Sequence, residues 1–565
     1  MRFTGETRRI SVVLAALSVT LALPAAAQPS PAAQLAAAPT SALPPPTQPP
    51  LGPEATALRA AMEAATAGWD GSERADVLGF YAGRGFAPFW SDAGRGAALV
   101  DVLEDAPAQG LPRARYKAAE LADGLTGPLA SPDRIAALEL AATRSWLLYA
   151  RDLTSGLLTP VRVDPEINVK PPRPERVALL ARLDAAPLPT LAQELEPKAP
   201  DYRALKAEKA RLEAEAAADW GAVVPEGPTM RLGDQGPRVE ALRARLSARG
   251  FAAPAPAPIP DAALFDASLE SALERFQTEA GLEPDGLAGR RTVAMLNAGP
   301  EERLRQVLVN LERLRWTNVD PGPRYIVANI PDYSVKVVED GRTVFTSRVV
   351  VGKADDTRTP EFSDVMSYFV VNPTWHIPDS IAQRVYLPKL KKNPNTLANS
   401  NMRIFTRSGT EINPGLVDFN QFTQGSFPFR IKQNPSDANA LGRVKFMFPN
   451  QFSIYLHDTP HRELFAKTER AFSNGCIRVE RPLDLAYLLL QGQVPDPQAS
   501  FDGWLAAKTE RTVQLQRPIP VTLEYRTVFV DDAGVIQQRF DVYGRDAEVF
   551  RALEAEGVTL ALAQG

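Results

Sequence analysis

The sequence has very little cysteine and histidine. Its 565 residues include one cysteine, Cys476, and three histidines. A single cysteine cannot form an intramolecular disulfide, so the thiol stays free even in an oxidising compartment. A lone cysteine is by default a small buried apolar residue. Its neighbours therefore decide whether it has a chemical role.

The chain also lacks strong charge of one sign and long apolar runs. Its formal net charge is −4 and its pI is about 5.8, and no notable basic run gives an electrostatic reason to bind nucleic acid. The apolar stretch 10–23 is too short to span a bilayer comfortably. Because arginines precede it and small residues follow at 25–27, we predict a signal peptide at 1–27. We expect an exported protein without a stable membrane span or a lipoprotein anchor.

The length exceeds what one hydrophobic core supports, and composition shifts divide the chain into several units. The predicted fold class is multidomain α+β. The predicted segments are a Pro/Ala-rich linker (28–53), an α-helical scaffold (54–228), a three-helix module (229–299), a connecting amphipathic helix (300–320), a β-rich catalytic domain (321–495) with a capping insert at about 377–423, and a C-terminal β-hairpin region packed on it (496–565).

Two patterns support this division. In the scaffold, Leu138, Ala142, Trp146 and Tyr149 recur at helical spacing. The β-rich region opens with two β-branched runs, and Asp340-Gly341 after the second predicts a hairpin turn.

Cys476 lies in a segment suited to acyl transfer, 473–478, with the sequence Ser-Asn-Gly-Cys-Ile-Arg. Gly475 removes a side chain just before the sulfur, so backbone N–H groups can approach a developing oxyanion. His457 precedes Cys476 by nineteen positions and follows an apolar run typical of a core strand. An imidazole within reach of a thiol lowers its pKa and returns the proton to a leaving amine. The pair is therefore a candidate nucleophile and base.

Metal binding is a weaker interpretation of the same histidine. His457 and His461 are four residues apart, the separation that zinc proteases use on a helix. Pro460 breaks that helical turn, and no third ligand is evident. We expect no metal and place His461 on the surface.

The segment from His457 to Arg478 resembles the L,D-transpeptidases of bacterial cell walls, whose catalytic domain is named after YkuD. In that family a histidine precedes Ser/Thr-His-Gly-Cys by about sixteen residues, and here fifteen residues separate His457 from Ser473. Asn474 replaces the frequent histidine. Arg478 stands where many members have asparagine. An arginine at this position is expected in the large Gram-negative branch that resembles YcbB. Segments 372–378, 442–446 and 457–460 also resemble that branch, and 230–297 resembles a peptidoglycan-binding domain.

The resemblance implies a role for each residue near the cysteine. Cys476 would attack a stem-peptide carbonyl, His457 would be the base, and the backbone carbonyl of Asp458 would orient the imidazole. Gly475 and Cys476 would supply oxyanion N–H donors. Arg478 would pair with a substrate carboxylate, and its alternative role is a structural salt bridge.

The other candidate substrate-binding residues surround this segment. They are Ser473, Asn474, Tyr455, Trp375 and His376. The alternative interpretation of Trp375 is a core residue, not a substrate contact. The alternative interpretation of the capping insert is an ordinary surface loop.

Together with the predicted signal peptide, the resemblance implies a periplasmic L,D-transpeptidase that forms 3-3 cross-links through a Cys476 thioester, releases D-Ala and is acylated by carbapenems. It needs no cofactor, because one amide is exchanged for another. The expected partners are peptidoglycan stem peptides and other wall synthases. Two alternatives stay open. One is an L,D-carboxypeptidase, endopeptidase or protein-attaching transferase, and the other is a non-catalytic wall-binding protein.

Overall fold

The computed structural model describes residues 51–127, 130–215, 220, 222–251, 261–354 and 357–560. The predicted signal peptide and nearly all of the predicted linker lie outside these residues. Within them, no helix combines the length and the apolar character needed to cross a bilayer. From residue 53 onward, the described residues form one compact unit in which the parts below pack together.

The scaffold is helical, as predicted. Its longest helix, α5, begins at a Ser131 cap followed by Pro132, and buries most of its length. Glu139 on this helix is fully buried, and its carboxylate accepts hydrogen bonds from Tyr81 Oη (2.9 Å) and Trp90 N (3.0 Å). The scaffold helices are α1 (Pro53–Ala65), α2 (Gly71–Gly83), α3 (Ala93–Glu104), α4 (Ala118–Thr126), α5 (Pro132–Ser155), α6 (Pro160–Val163), α7 (Arg176–Ala181), α8 (Leu188–Leu195) and α9 (Pro200–Ala214).

The three-helix module is also confirmed. Its helices are α10 (Pro237–Ala248), α11 (Ala267–Glu279) and α12 (Arg290–Asn297). They enclose their own core, in which Leu242, Leu273 and Leu296 are fully buried. The predicted helical spacing therefore marks the inward faces of this module.

The connecting helix, α13 (Pro300–Trp316), differs from the amphipathic helix that we expected, because nearly every residue from Leu304 onward is buried. Its polar residues find partners in the interior: Arg313 pairs with Asp546 at 2.5 Å, and Arg315 pairs with Glu312 at 3.1 Å. It contacts α5, α9 and the C-terminal helix α18 (Arg545–Ala555). It is therefore a core helix between the scaffold and the C-terminal part.

A closed sheet carries the predicted β-rich domain. Its strands are β1 (Arg324–Asn329), β2 (Ser334–Glu339), β3 (Arg342–Gly352), β4 (Phe362–Val371), β9 (Val444–Met447), β10 (Leu456–His457), β11 (Ala471–Ser473), β12 (Ile477–Val479) and β13 (Arg511–Glu524). The strand order is β11-β3-β12-β10-β9-β4-β13-β1-β2, and β2 pairs back onto β3. Asp340 and Gly341 have positive φ and form the predicted β2–β3 turn.

The C-terminal region is more than the hairpin expected for 496–565. Strand β13 lies inside the catalytic sheet, parallel to β1 and antiparallel to β4. Only β14 (Val528–Val530) and β15 (Ile536–Gln538) form a separate hairpin. Helices α16 (Pro482–Leu490) and α17 (Pro497–Ala506) precede β13, and α18 follows the hairpin. The alternating pattern identified a strand but carried no information about its distant partners.

The capping insert is a small subdomain with its own core. The four short strands β5 (Trp375–His376), β6 (Met402–Phe405), β7 (Glu411–Ile412) and β8 (Arg430–Gln433) form a sheet in the order β5-β8-β6-β7. Helices α14 (Asp379–Ile381) and α15 (Leu387–Lys392) lie between β5 and β6. The subdomain extends past the predicted end at 423, because β8 pairs with both β5 and β6.

Candidate active site

Cys476 lies on a tight loop between β11 and β12. Ser473 Oγ donates to the Cys476 carbonyl at 2.6 Å and accepts the Gly475 N–H at 3.1 Å. Gly475 has φ of 109°, and a Cβ there would lie 3.1 Å from Ile454 Cδ1. The backbone conformation therefore requires glycine at this position.

His457 sits beside this loop at the end of β10. Because β10 runs parallel to β12, His457 is in register with Arg478, two residues beyond the cysteine. The imidazole is buried, and its Nδ1 hydrogen bonds to the Asp458 carbonyl at 2.5 Å. A carbonyl only accepts, so Nδ1 carries the proton and Nε2 keeps its lone pair. The ring is thus held in the tautomer that a general base needs.

The thiol and the imidazole are both neutral in the resting site. Burial raises the pKa of the Cys476 thiol to about 11. Burial, with the charge of Arg478 next, lowers the pKa of His457 to about 3. Cys476 is half-buried, and its Sγ donates to the Ser453 carbonyl at 3.7 Å. At neutral pH the site is arranged for proton transfer during attack and not for a standing thiolate–imidazolium pair.

Two cationic side chains flank the histidine. Lys445 on β9 and Arg478 on β12 are both in register with His457, so the three residues form a row across adjacent strands. Burial lowers the pKa of both cations. Arg478 Nε is buried without a hydrogen-bond partner among the described residues, and Glu463 is an acidic residue whose charge acts on Arg478. The row can therefore bind substrate carboxylates.

Lys445 is a site residue that the sequence analysis missed. It lies in segment 442–446, which resembles the family, but nothing in the local sequence marks it. Only the pairing of β9 with β10 places it beside His457.

The carboxylate of Asp458 turns away from the imidazole. Its Oδ2 accepts the Arg443 N–H at 2.9 Å, and its Oδ1 accepts the Thr459 N–H at 2.7 Å. These bonds fix the Asp458 peptide whose carbonyl holds His457. The aspartate therefore contributes to the site through its backbone.

The oxyanion donors differ from the expected pair. The Gly475 N–H is occupied by Ser473 Oγ, whereas the Cys476 N–H has no hydrogen-bond acceptor within the described part of the chain. Gly475 therefore shapes the loop, and Cys476 N–H is the donor left for an oxyanion. Ser473 is 2% exposed and uses its hydroxyl inside the loop, so it is placed for structure and not for contact with substrate.

Of the remaining predicted residues, Tyr455 interacts with the thiol, whereas Trp375 and His376 belong to β5 of the capping subdomain. Burial, together with the neighbouring thiol, raises the pKa of Tyr455 well above its usual value, and a hydrogen bond from Trp375 acts in the opposite direction. Trp375 is half-exposed and packs against Tyr386 of the capping subdomain, so it is not a core residue of the catalytic sheet. His376 pairs with Lys432 on β8. Asn474 is exposed at the tip of the loop.

No histidine, cysteine or carboxylate cluster suited to a metal ion occurs among the residues that the structure describes. His461 is exposed and lies 3.3 Å from Glu463.

Three family models match parts of the chain. Residues 323–496 match the YkuD L,D-transpeptidase catalytic domain, 75–208 match a scaffold domain, and 235–296 match a "Putative peptidoglycan binding domain". Residues 323–496 are therefore similar to an L,D-transpeptidase catalytic domain, and 235–296 to a peptidoglycan-binding domain, beside a helical N-terminal region.

A relative in Haemophilus influenzae is described as a "Putative L,D-transpeptidase". It is 34% identical over 244 residues, which are 43% of this chain and 48% of the relative. The alignment thus spans about half the length of that protein.

Two solved structures are more distant. An L,D-transpeptidase from Xylanimonas cellulosilytica shares 16% identity and covers 53% of this chain and 99% of its own, with a TM-score of 0.15. A fused Zn-dependent amidase/peptidase/peptidoglycan-binding protein from Clostridium acetobutylicum shares 17% identity and covers 25% of this chain and 70% of its own, with a TM-score of 0.11. At these TM-scores neither structure indicates the fold or the function of this chain.

Proposed function

We propose that this protein is a periplasmic L,D-transpeptidase of the YcbB-like branch that forms 3-3 cross-links between peptidoglycan stem peptides. The observation that carries the proposal is that a half-buried Cys476 thiol directly precedes β12, the strand paired with β10, on which the Asp458 carbonyl holds His457 Nδ1. The matched catalytic and peptidoglycan-binding domains support the same substrate class.

In the first half-reaction, Cys476 Sγ attacks the carbonyl of the L,D amide in a donor tetrapeptide stem. The thiol proton passes to His457 Nε2, and the Cys476 N–H donates to the oxyanion that forms. Collapse of this intermediate breaks the C–N bond, and His457 returns the proton to the departing D-Ala amine. The product is a thioester on Cys476.

In the second half-reaction, the side-chain amine of another diaminopimelate attacks the thioester. His457 accepts the amine proton and returns it to the sulfur as the thioester bond breaks. One amide replaces another, so no energy-supplying cofactor is needed.

The cationic side chains of Lys445 and Arg478 provide charges that can orient an anionic substrate. A stem tetrapeptide carries several carboxylates, and Arg478 with Lys445 offers two half-buried cationic side chains beside His457. A guanidinium can bind a carboxylate through two parallel hydrogen bonds. We propose that Arg478 holds a substrate carboxylate, and that Tyr455 and Trp375 contact the bound stem.

The test is incubation of the mature protein with purified disaccharide-tetrapeptide, followed by mass analysis of products, with Cys476→Ala as the control. We expect cross-linked dimer and free D-Ala from the wild type and neither from the variant. Tripeptide product without dimer would contradict the transpeptidase assignment and indicate an L,D-carboxypeptidase. No product from either protein would favour the non-catalytic alternative.

A further inference from the structure

The peptide unit between Gly475 and Cys476 is held from behind by Thr359. Thr359 Oγ1 donates to the Gly475 carbonyl at 2.8 Å and accepts the Gly352 N–H at 2.9 Å. Thr359 is fully buried and lies in the connection between β3 and β4, more than a hundred residues before the cysteine. The Gly475 carbonyl can only accept, so the Thr359 hydroxyl must donate its proton to that carbonyl and use a lone pair for the Gly352 N–H.

This anchored carbonyl belongs to the same rigid group as the free Cys476 N–H. A trans peptide is planar, so its C=O and N–H bonds point in opposite directions. Fixing the Gly475 carbonyl therefore fixes the direction of the Cys476 N–H. Hydrogen bonds that polarise one another in a chain also strengthen the final donor.

We propose that Thr359 is a positioning residue for the oxyanion donor of Cys476. This inference rests on the proposed function in one respect, that Cys476 takes part in acyl transfer. It does not depend on the substrate, because any acyl transfer to Cys476 passes through an oxyanion. Thr359 does not touch the substrate. It acts through the Gly475–Cys476 peptide unit.

Thr359 is itself held rigidly. Tyr543 Oη accepts the Thr359 N–H at 3.2 Å and donates to the Gly352 carbonyl at 2.7 Å, and Arg545 Nη2 donates to the Thr359 carbonyl at 3.3 Å. A Cβ on Gly352 would lie 1.9 Å from the Thr357 carbonyl oxygen, so the two segments approach closely. The support is therefore set in advance of the reaction, as electrostatic stabilisation of an oxyanion requires.

The test compares two reactions of the same thiol in the full-length protein. Alkylation by iodoacetamide forms no oxyanion, whereas acylation by p-nitrophenyl acetate does. Thr359→Val keeps the shape and removes the hydroxyl, so we expect the ratio of acylation to alkylation rates to fall roughly tenfold to a hundredfold, at or below the loss typical of one oxyanion donor. Thr359→Ser is expected to restore the ratio to within a few fold.

The matched control is Thr357→Val. Thr357 Oγ1 donates to the Ser473 carbonyl at 3.0 Å, so its loss removes a similar bond from the same loop but from a different peptide unit. We expect the ratio to stay near the wild-type value. If Thr359→Val does not fold, Thr359→Ala removes the same hydroxyl without a branched side chain.

An unchanged ratio in a folded Thr359 variant, or an equal fall in the Thr357 control, would overturn the inference. The proposed function can fail separately. If stem peptides are not processed but the ratio falls as expected, Thr359 keeps its role and the substrate assignment is lost.

Discussion

Replacing His457 with asparagine is expected to lower the rate of Cys476 acylation at pH 7 by about 10³- to 10⁴-fold. With a thiol pKa of about 11, only about 10⁻⁴ of the protein carries a thiolate at neutral pH. Under the proposed mechanism the wild type avoids this penalty, because neutral His457 would remove the proton during attack. The variant has to rely on the small thiolate population.

The pH dependence distinguishes these two routes. In the wild type, the His457 pKa of about 3 and the Cys476 pKa of about 11 leave both groups in their reactive neutral forms between about pH 5 and pH 9. We expect a nearly flat acylation profile there, with a fall toward pH 3 as the imidazole is protonated. In His457→Asn, the rate should rise about tenfold per pH unit over the same range.

Asp458→Asn is the matched control. The Asp458 carbonyl, and not its carboxylate, binds the imidazole. We therefore expect a loss within about tenfold, far below the roughly 10⁴-fold cost of altering a carboxylate that orients a catalytic histidine directly. Stopped-flow acylation across the pH range measures all three proteins. A steep wild-type profile centred near pH 6 to 7 would contradict the neutral pair.

Arg545→Met is expected to lower the free energy of unfolding by about 3–5 kcal/mol, the cost typical of breaking a buried ion pair. Arg545 is fully buried and lies 3.3 Å from Asp164, 3.0 Å from Glu166 and 3.1 Å from Glu361. Asp164 and Glu361 are themselves 3% exposed. Removing the guanidinium leaves the buried Glu361 carboxylate without its ion-pair partner, whereas Asp164 keeps a second partner in Arg358 at 3.2 Å.

This cluster joins the scaffold to the catalytic sheet. Asp164 and Glu166 belong to the scaffold, and the Glu361 N–H donates to the Glu166 carbonyl at 2.8 Å. Since Arg545 also binds the Thr359 carbonyl, we expect Arg545→Met to loosen the support of the nucleophile loop as well.

Urea denaturation followed by tryptophan fluorescence measures this loss. The control is Arg59→Met, whose exposed pair with Glu63 at 2.8 Å should change stability by less than about 1 kcal/mol. Equal stability of Arg545→Met and Arg59→Met would contradict the cluster's role.

The local part of the site was readable from the sequence, whereas its support was not. Cys476, His457 and Asp458 stand in one short segment whose spacing indicates the chemistry. Lys445 joins the site because β9 pairs with β10, and Thr359 joins it from the connection between β3 and β4, far from the cysteine in sequence. Local sequence patterns do not indicate such long-range contacts. The family resemblance also implied that Gly475 is an oxyanion donor, whereas its N–H hydrogen bonds to Ser473 Oγ within the loop.

The fold shows the same division. Helical spacing and turn residues predicted the scaffold, the three-helix module and the β2–β3 hairpin. The polar residues of α13 resembled a solvent-facing stripe, because an arginine with a buried partner looks the same in sequence as an exposed one. Strand β13 was recognisable as a strand, but its place between β1 and β4 depends on contacts across nearly two hundred residues.

The most direct test of the central claim is the mass of the protein during turnover. The wild type is mixed with disaccharide-tetrapeptide, stopped in acid and analysed by intact mass and peptide mapping. We predict a tripeptide-bearing adduct on Cys476, with one D-Ala released for each adduct present and each product molecule formed. Product formation without an adduct on Cys476, or with the adduct on another residue, would contradict the account.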